Sequence, residues 1–205
     1  MLLAREATVP KRWNIAPHDP TTVASLEKSA GISPILARLL AARGVTDPKQ
    51  VRGFLDASMA NLREPEELFG IAEAADSILA AAKAGRKIVI YGDYDADGMS
   101  STAILCHCLK AIHVEPHWYV PDRFDEGYGL NSDALRRLKQ DGAELVVTVD
   151  CGIASVAEAD VAREIGLELI ITDHHNFADR LPAADVLVHP RLPGSEYPFG
   201  DLCGA

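Results

Sequence analysis

Apolar positions along this chain follow two rhythms, and the change falls near Lys87. Before it, apolar residues recur at helical spacing. Ser33-Pro34-Ile35-Leu36-Ala37-Arg38-Leu39-Leu40 offers a Ser N-cap, Pro at the first helical position and one apolar face, and Gly44 supplies the stop. Thr46-Asp47-Pro48 opens a second helix whose apolar face takes in Val51, Phe54 and Leu55. A longer helix is predicted from Pro65 through Ile71, Ala75, Ile78, Leu79 and Ala82 to Gly85.

From Lys87 the pattern becomes short β-branched runs. Lys87-Ile88-Val89-Ile90-Tyr91 is apolar at nearly every position, as in a strand covered on both faces. Similar runs follow at 117–120, 145–149, 169–172 and 186–188, with helical stretches between them at 99–112, 132–140 and 155–165. Alternating strand and helix predicts an α/β fold with a doubly wound, mainly parallel five-stranded sheet, preceded by an N-terminal helical region. The predicted division is 1–84 and 85–205.

Composition changes this picture little. Apolar residues make up 48% of 205 and charged residues 24%, an ordinary globular balance without repeats or low-complexity segments. The apolar runs are strand-sized, well under the ~18–20 residues of a membrane span, and the opening Met1-Leu2-Leu3-Ala4-Arg5-Glu6 lacks the pattern of a signal peptide. Cys106, Cys108, Cys151 and Cys203 fit reduced thiols better than a disulfide framework or a zinc site. The expectation is a cytoplasmic protein with no membrane partner. Charge adds more: 20 basic against 30 acidic residues leave −10, a field that by itself repels nucleic acid but suits acids gathered around cations.

Those acids stand in a telling place. One predicted strand runs into Gly92-Asp93-Tyr94-Asp95-Ala96-Asp97-Gly98, another into Asp150-Cys151-Gly152, a third into Asp173-His174-His175. Ligands of an open parallel sheet bind outside the carboxyl ends of its strands, so three distant clusters can meet in one crevice. Each cluster has a plainer explanation. The first matches the opening of an EF-hand loop, but Ile104 stands where that loop needs its twelfth ligand, and a strand rather than a helix precedes it. The second alone is a turn with a capping acid, and the third alone a surface turn. Coincidence at three strand ends outweighs all three. Carboxylates with imidazoles favour Mn²⁺ or Mg²⁺ over zinc, and several acids suggest two ions ~3.5–4 Å apart. Consecutive histidines point differently, so one is expected to ligate while the other meets phosphate or donates a proton, with Asp173 orienting a histidine from behind. There is no Walker A sequence, G-x-S-x-G elbow or G-x-G-x-x-G loop.

Asp173-His174-His175, together with Tyr91 to Gly98, Gly127-Tyr128-Gly129-Leu130, Val149-Asp150, Arg43-Gly44-Val45 and Phe54-Leu55, resembles the DHH phosphoesterase superfamily, and within it the exonucleases that degrade single-stranded DNA from the 5′ end. The resemblance runs from about Ser33 onward. It implies Asp95, Asp97, Asp150 and His174 as metal ligands, with Asp93 in the same metal set, and His175 at the phosphate with Asp173 beside it as the catalytic pair. Arg123 is then expected at a DNA phosphate and Tyr128 against an unpaired base, although a surface arginine and a packed tyrosine explain them equally well. Cys151 and His189 stand where the family often has asparagine.

The resemblance also implies that Leu202-Cys203-Gly204-Ala205 lies in a segment opening a further helix, followed in the family by another acidic ligand, a second lobe and an OB-fold. The chain is therefore expected to be an incomplete catalytic core, weak or inactive alone. The function expected is a two-metal 5′→3′ exonuclease of DNA repair and recombination, with single-stranded DNA as substrate and a helicase or single-strand-binding protein as partner. The alternatives are a phosphodiesterase of short oligonucleotides, cyclic dinucleotides or pyrophosphate, and a non-catalytic scaffold. Retention of Asp95, Asp97, Asp150 and His174 speaks against the scaffold.

Overall fold

The computed structural model describes residue 14 and residues 16–56, 58, 60, 62–127 and 129–205. Its contacts divide the chain into two compact units between Arg63 and Glu64. In the first, three helices begin alike. α1 (Pro20–Ala30), α2 (Pro34–Ala42) and α3 (Pro48–Leu55) each have Pro at the first position, capped by Asp19, Ser33 and Asp47 accepting from backbone N–H groups of the first turn. Val23, Leu26, Ala37, Leu40 and Val51 form their shared core. Phe54 and Leu55, expected on the buried face of α3, are exposed, because the short helix turns only Val51 inward.

The second unit opens with a 3-10 turn (Pro65–Glu67) and α4 (Ile71–Lys83). The single helix expected from Pro65 is broken at Gly70, whose φ of 83° is left-handed and whose missing Cβ lets the Leu187 carbonyl approach. α4 then buries Ala74 and Ala81 on the sheet. The expected boundary at 84/85 is thereby displaced: α4 belongs with the sheet because its apolar stripe packs there.

The sheet is parallel throughout, as the alternation predicts. Its strands are β1 (Ile88–Gly92), β2 (His117–Tyr119), β3 (Leu145–Val149), β4 (Glu168–Thr172) and β5 (Val186–Val188), in the order β2-β1-β3-β4-β5. Alternate residues face opposite layers. Val89, Tyr91, Val146, Leu169 and Ile171 pack against α6 (Ser132–Gln140) and α7 (Val156–Glu164). Ile88, Ile90, Leu145, Val147 and Ile170 pack against α4 and α5 (Ala96–Ala111). No helix among the described residues is long and apolar enough to cross a membrane.

Register positions the site. Gly92 pairs with Val149, Val149 with Thr172, and Thr172 with Val188, so four strands end level. The next residues are Asp93, Asp150, Asp173 and His189, and all four are buried.

Candidate metal centre

The β1–α5 loop is held tight. Thr102 Oγ1 donates to the Gly98 carbonyl at 2.7 Å and fills the space a Cβ on Gly92 would need. A Cβ on Gly98 would come within 2.5–2.7 Å of the Asp93 backbone. This packing forces the chain over Asp93, which is 2% exposed, and delivers Asp95 to the N-cap of α5, where it accepts from Gly98 N–H at 3.0 Å. That bond holds the Asp95 carboxyl below its ordinary range, whereas burial pushes Asp93 up.

Asp150 sits in a left-handed conformation, φ 64°, one step beyond β3, while its N–H still donates to the Thr172 carbonyl at 3.0 Å. Left-handed backbone costs a non-glycine residue about 1 kcal/mol, least for Asp and Asn. The turn aims its side chain into the crevice. The carboxylate is 1% exposed, and neither oxygen accepts a hydrogen bond among the described residues. Burial, then the charge of Asp95, pushes its pKa up to about 6.

Asp173 is buried too, but fully engaged. Oδ1 accepts from the backbone N–H groups of His174 (2.7 Å) and His175 (3.0 Å) and from His175 Nδ1 (2.7 Å), and Oδ2 accepts from Ile153 N–H at 2.9 Å. With Nδ1 committed as donor, Nε2 is the His175 nitrogen that can accept. His174 Nδ1 donates to the Leu202 carbonyl at 2.7 Å, leaving Nε2 3.1 Å from Asp150 Oδ1. Two acceptors face each other there unless a proton or a cation lies between them.

Ligand atoms of Asp93, Asp95 and Asp150 lie within 4.8 Å of one another, as do those of Asp150, His174 and His175. Asp150 is common to both groups. A buried carboxylate with no donor is costly in an apolar medium, and hard oxygens with imidazole nitrogens suit Mn²⁺ or Mg²⁺. The residues fit such ions. Asp97 stands apart from both groups on the first turn of α5, its Oδ2 accepting from Gly204 N–H at 3.1 Å. Gly204 itself reaches the centre, since a Cβ there would collide with the Asp150 carboxylate.

Sequence reasoning named His189 only as a departure from the family pattern, and the fold places it at the fourth strand end. His189, 0% exposed, accepts from Arg191 N–H at Nδ1 (3.0 Å) and donates from Nε2 to the His175 carbonyl (2.8 Å); burial lowers its pKa and keeps the ring neutral. The Arg191 guanidinium donates to the His174 carbonyl at 2.6 Å. These two side chains hold the backbone of 174–175. The rule that found Asp93, Asp150 and Asp173, the first residue after a buried strand, finds His189 as well. Cys151 is packed inside with its thiol pushed well up by burial, which suits a neutral core residue.

Arg123 is exposed, with its guanidinium carbon 5.2 Å from the centre of the Tyr94 ring, between Asp93 and Asp95 in sequence. Tyr128 lies outside the described residues. A 370 Å³ cavity lined in part by Asp173 and His174 is walled mainly by apolar residues such as Ile71, Ile78, Ile104 and Leu105.

The sequence model described as the DHH family, N-terminal domain, matches residues 87–205. The single-stranded-DNA-specific exonuclease RecJ of Bacillus subtilis is 46% identical over 193 residues, covering 94% of this chain and 25% of the relative. The Escherichia coli RecJ is 36% identical over 176 residues, covering 85% and 30%. The crystal structure of RecJ in complex with Mn²⁺ from Thermus thermophilus superposes with a TM-score of 0.63 at 31% identity, covering 92% of this chain and 26% of that one. The chain thus spans 25% and 30% of the two curated relatives it is compared with.

Proposed function

Because this chain belongs to the DHH family, we propose that it carries the metal centre of a 5′→3′ exonuclease that hydrolyses phosphodiester bonds of single-stranded DNA in repair and recombination. The supporting observation is Asp150: a buried carboxylate common to two ligand groups, whose oxygens accept no hydrogen bond among the described residues and whose Oδ1 lies 3.1 Å from His174 Nε2. In this reading Asp93, Asp95, Asp150 and His174 would hold the ions, with Asp150 common to both groups, and Asp97, which lies outside both groups, would join them from the first turn of α5 on giving up its bond to Gly204 N–H. Two Mn²⁺ or Mg²⁺ ions bound there would supply Lewis acidity and a water of lowered pKa.

The protein's own groups do the rest. Asp173 fixes the His175 tautomer, so that Nε2 faces the phosphate and can exchange a proton with the reacting oxygens. His189 and Arg191 hold the main chain that carries both histidines, and Arg123 meets a backbone phosphate at the rim. The RecJ relatives, named for single-stranded DNA, support the substrate. A helicase or single-strand-binding partner and a cytoplasmic setting rest on the same family premise.

The test begins with Mn²⁺ calorimetry on this chain and on His174→Ala, followed by 5′-labelled single-stranded and duplex oligonucleotides offered to a protein that carries this chain at the full length of its relatives. Metal binding weakened by His174→Ala, with nucleotides released from the 5′ end of single strands alone, is expected. Metal binding with hydrolysis confined to cyclic dinucleotides or pyrophosphate would transfer the function to small phosphodiesters. No metal binding in either protein would overturn the centre itself.

A further inference from the structure

Residues 202–204 belong to no helix or strand, yet they cross the metal centre and meet the segments that carry His174, Asp97 and Asp150. The Leu202 carbonyl accepts from His174 Nδ1 at 2.7 Å, just beyond β4. Gly204 N–H donates to Asp97 Oδ2 at 3.1 Å, and the Gly204 carbonyl accepts from the Ser101 hydroxyl, both partners lying on α5. Against Asp150 this strap fits only because Gly204 has no Cβ.

The Leu202 contact decides which nitrogen His174 offers. A main-chain carbonyl can only accept, so Nδ1 carries the proton, and Nε2, 3.1 Å from Asp150 Oδ1, keeps its lone pair for a cation. Without that acceptor the neutral ring is free to take either tautomer. Packing does little to hold Leu202 in place, since the strap borders the 370 Å³ cavity and has no neighbours on that side. Its position depends on its bonds to α5. One of these, from Gly204 to Asp97, is the bond that the proposed function has Asp97 give up.

Ser101 is the tie that remains. Its buried hydroxyl also lies 2.6 Å from the Asp97 carbonyl, the acceptor a helical serine finds one turn back, and its single proton is shared between the two. The Gly204 carbonyl, 103 residues away in sequence, is the acceptor that helix geometry does not account for.

We infer that Ser101 is a positioning residue of the metal centre: it holds the 202–204 strap on α5, and the Leu202 carbonyl of that strap keeps His174 in the tautomer that binds metal. The inference rests on the proposed function and deepens it by naming what sets one of its ligands.

Two measurements on this chain test it: Mn²⁺ calorimetry, and ¹⁵N NMR of the His174 ring in the metal-free protein, with its signals assigned by their loss in His174→Gln. The parent should bind Mn²⁺ and show a protonated Nδ1. Ser101→Ala should lose about tenfold in Mn²⁺ affinity, the lower end for a group that supports a ligand, and show a mixture of ring tautomers. Ser101→Thr, which keeps the hydroxyl, should restore both. A serine that served α5 alone would leave both readings unchanged on removal, because a helix favours alanine; that result overturns the inference and leaves the metal centre standing. Affinity lost equally in Ser101→Ala and Ser101→Thr with unchanged ring signals overturns it too. A parent that binds no Mn²⁺ overturns the proposed function along with the inference.

Discussion

The two ends of the sheet treat their charged side chains in opposite ways. At the amino end, Arg86 pairs with Glu168 at 2.7 Å and donates to the Glu144 carbonyl at 2.9 Å, while Ser77 donates to the other Glu168 oxygen at 2.8 Å. Lys87 adds bonds to the Asp141 carbonyl and the Glu144 carboxylate. Both glutamates there have donors. At the carboxyl end, one strand length away, Asp93 Oδ1 and both oxygens of Asp150 have none among the described residues. One end of the sheet pairs its acids with donors, and the other leaves three buried carboxylate oxygens without a hydrogen bond among the described residues.

The sharpest way to break that contrast is at Asp150. Asp150→Asn should reduce Mn²⁺ affinity about 100-fold or more, past the usual loss from a supporting residue, while raising the melting temperature of the metal-free protein, since it removes a buried unpartnered charge. Asp93→Ala should weaken Mn²⁺ less. Calorimetry with the ranking reversed would refute Asp150 as the bridge.

Gly204→Ala comes next, because the new methyl meets the Asp150 carboxylate. About a tenfold loss of Mn²⁺ affinity is expected, within the range for displaced supporting groups. Unchanged calorimetry would show that the tail moves aside.

Acidity should divide the two ends as well. The folded Asp150 carboxyl titrates near 6, above its ordinary value of 3.8, so the folded state binds this proton more tightly than the unfolded state does. Metal-free stability should therefore be greatest below about pH 4 with respect to this group, and should fall as pH rises through 6. Mn²⁺ needs the ionised carboxylate, so its affinity should rise over the same interval. Denaturant titrations at pH 5 and 7, with and without Mn²⁺, should slope in opposite directions.

The smallest effect belongs to the amino end. Arg86→Met should lower stability by about 1 kcal/mol, discounted for the partial exposure of the pair, and leave Mn²⁺ binding untouched. A loss of metal affinity there would mean that the two ends are coupled through the strands.

Much of this was legible along the chain. The β-branched runs predict β1, β3, β4 and β5, because a strand buried on both faces must be apolar at consecutive positions, while β2 is an aromatic run on the sheet edge and largely exposed. Ser33 and Asp47, each before a proline, mark two helix starts, since capping is local chemistry; Asp19 before Pro20 opens α1 in the same way, although it was not among the starts expected from sequence. The acids and histidines of the site are adjacent to those runs, and the strand-end rule finds them. Gly70 was less legible: its break of the predicted helix depends on the Leu187 carbonyl, which is far away in sequence. Asp97 looks in sequence like Asp93 and Asp95, yet the helical turn carries it outside both ligand groups.

By itself, then, the sequence determined the strands, the caps and the kind of chemistry, because burial and backbone preference are written in near neighbours. Tertiary structure alone decided the level register that puts His189 in the row with three aspartates, the docking of α4 on the sheet, and the sharing of Asp150 between two ligand groups. Whether a carboxylate oxygen finds a donor depends on which distant groups the fold brings within about 3 Å, and no local pattern encodes that distance.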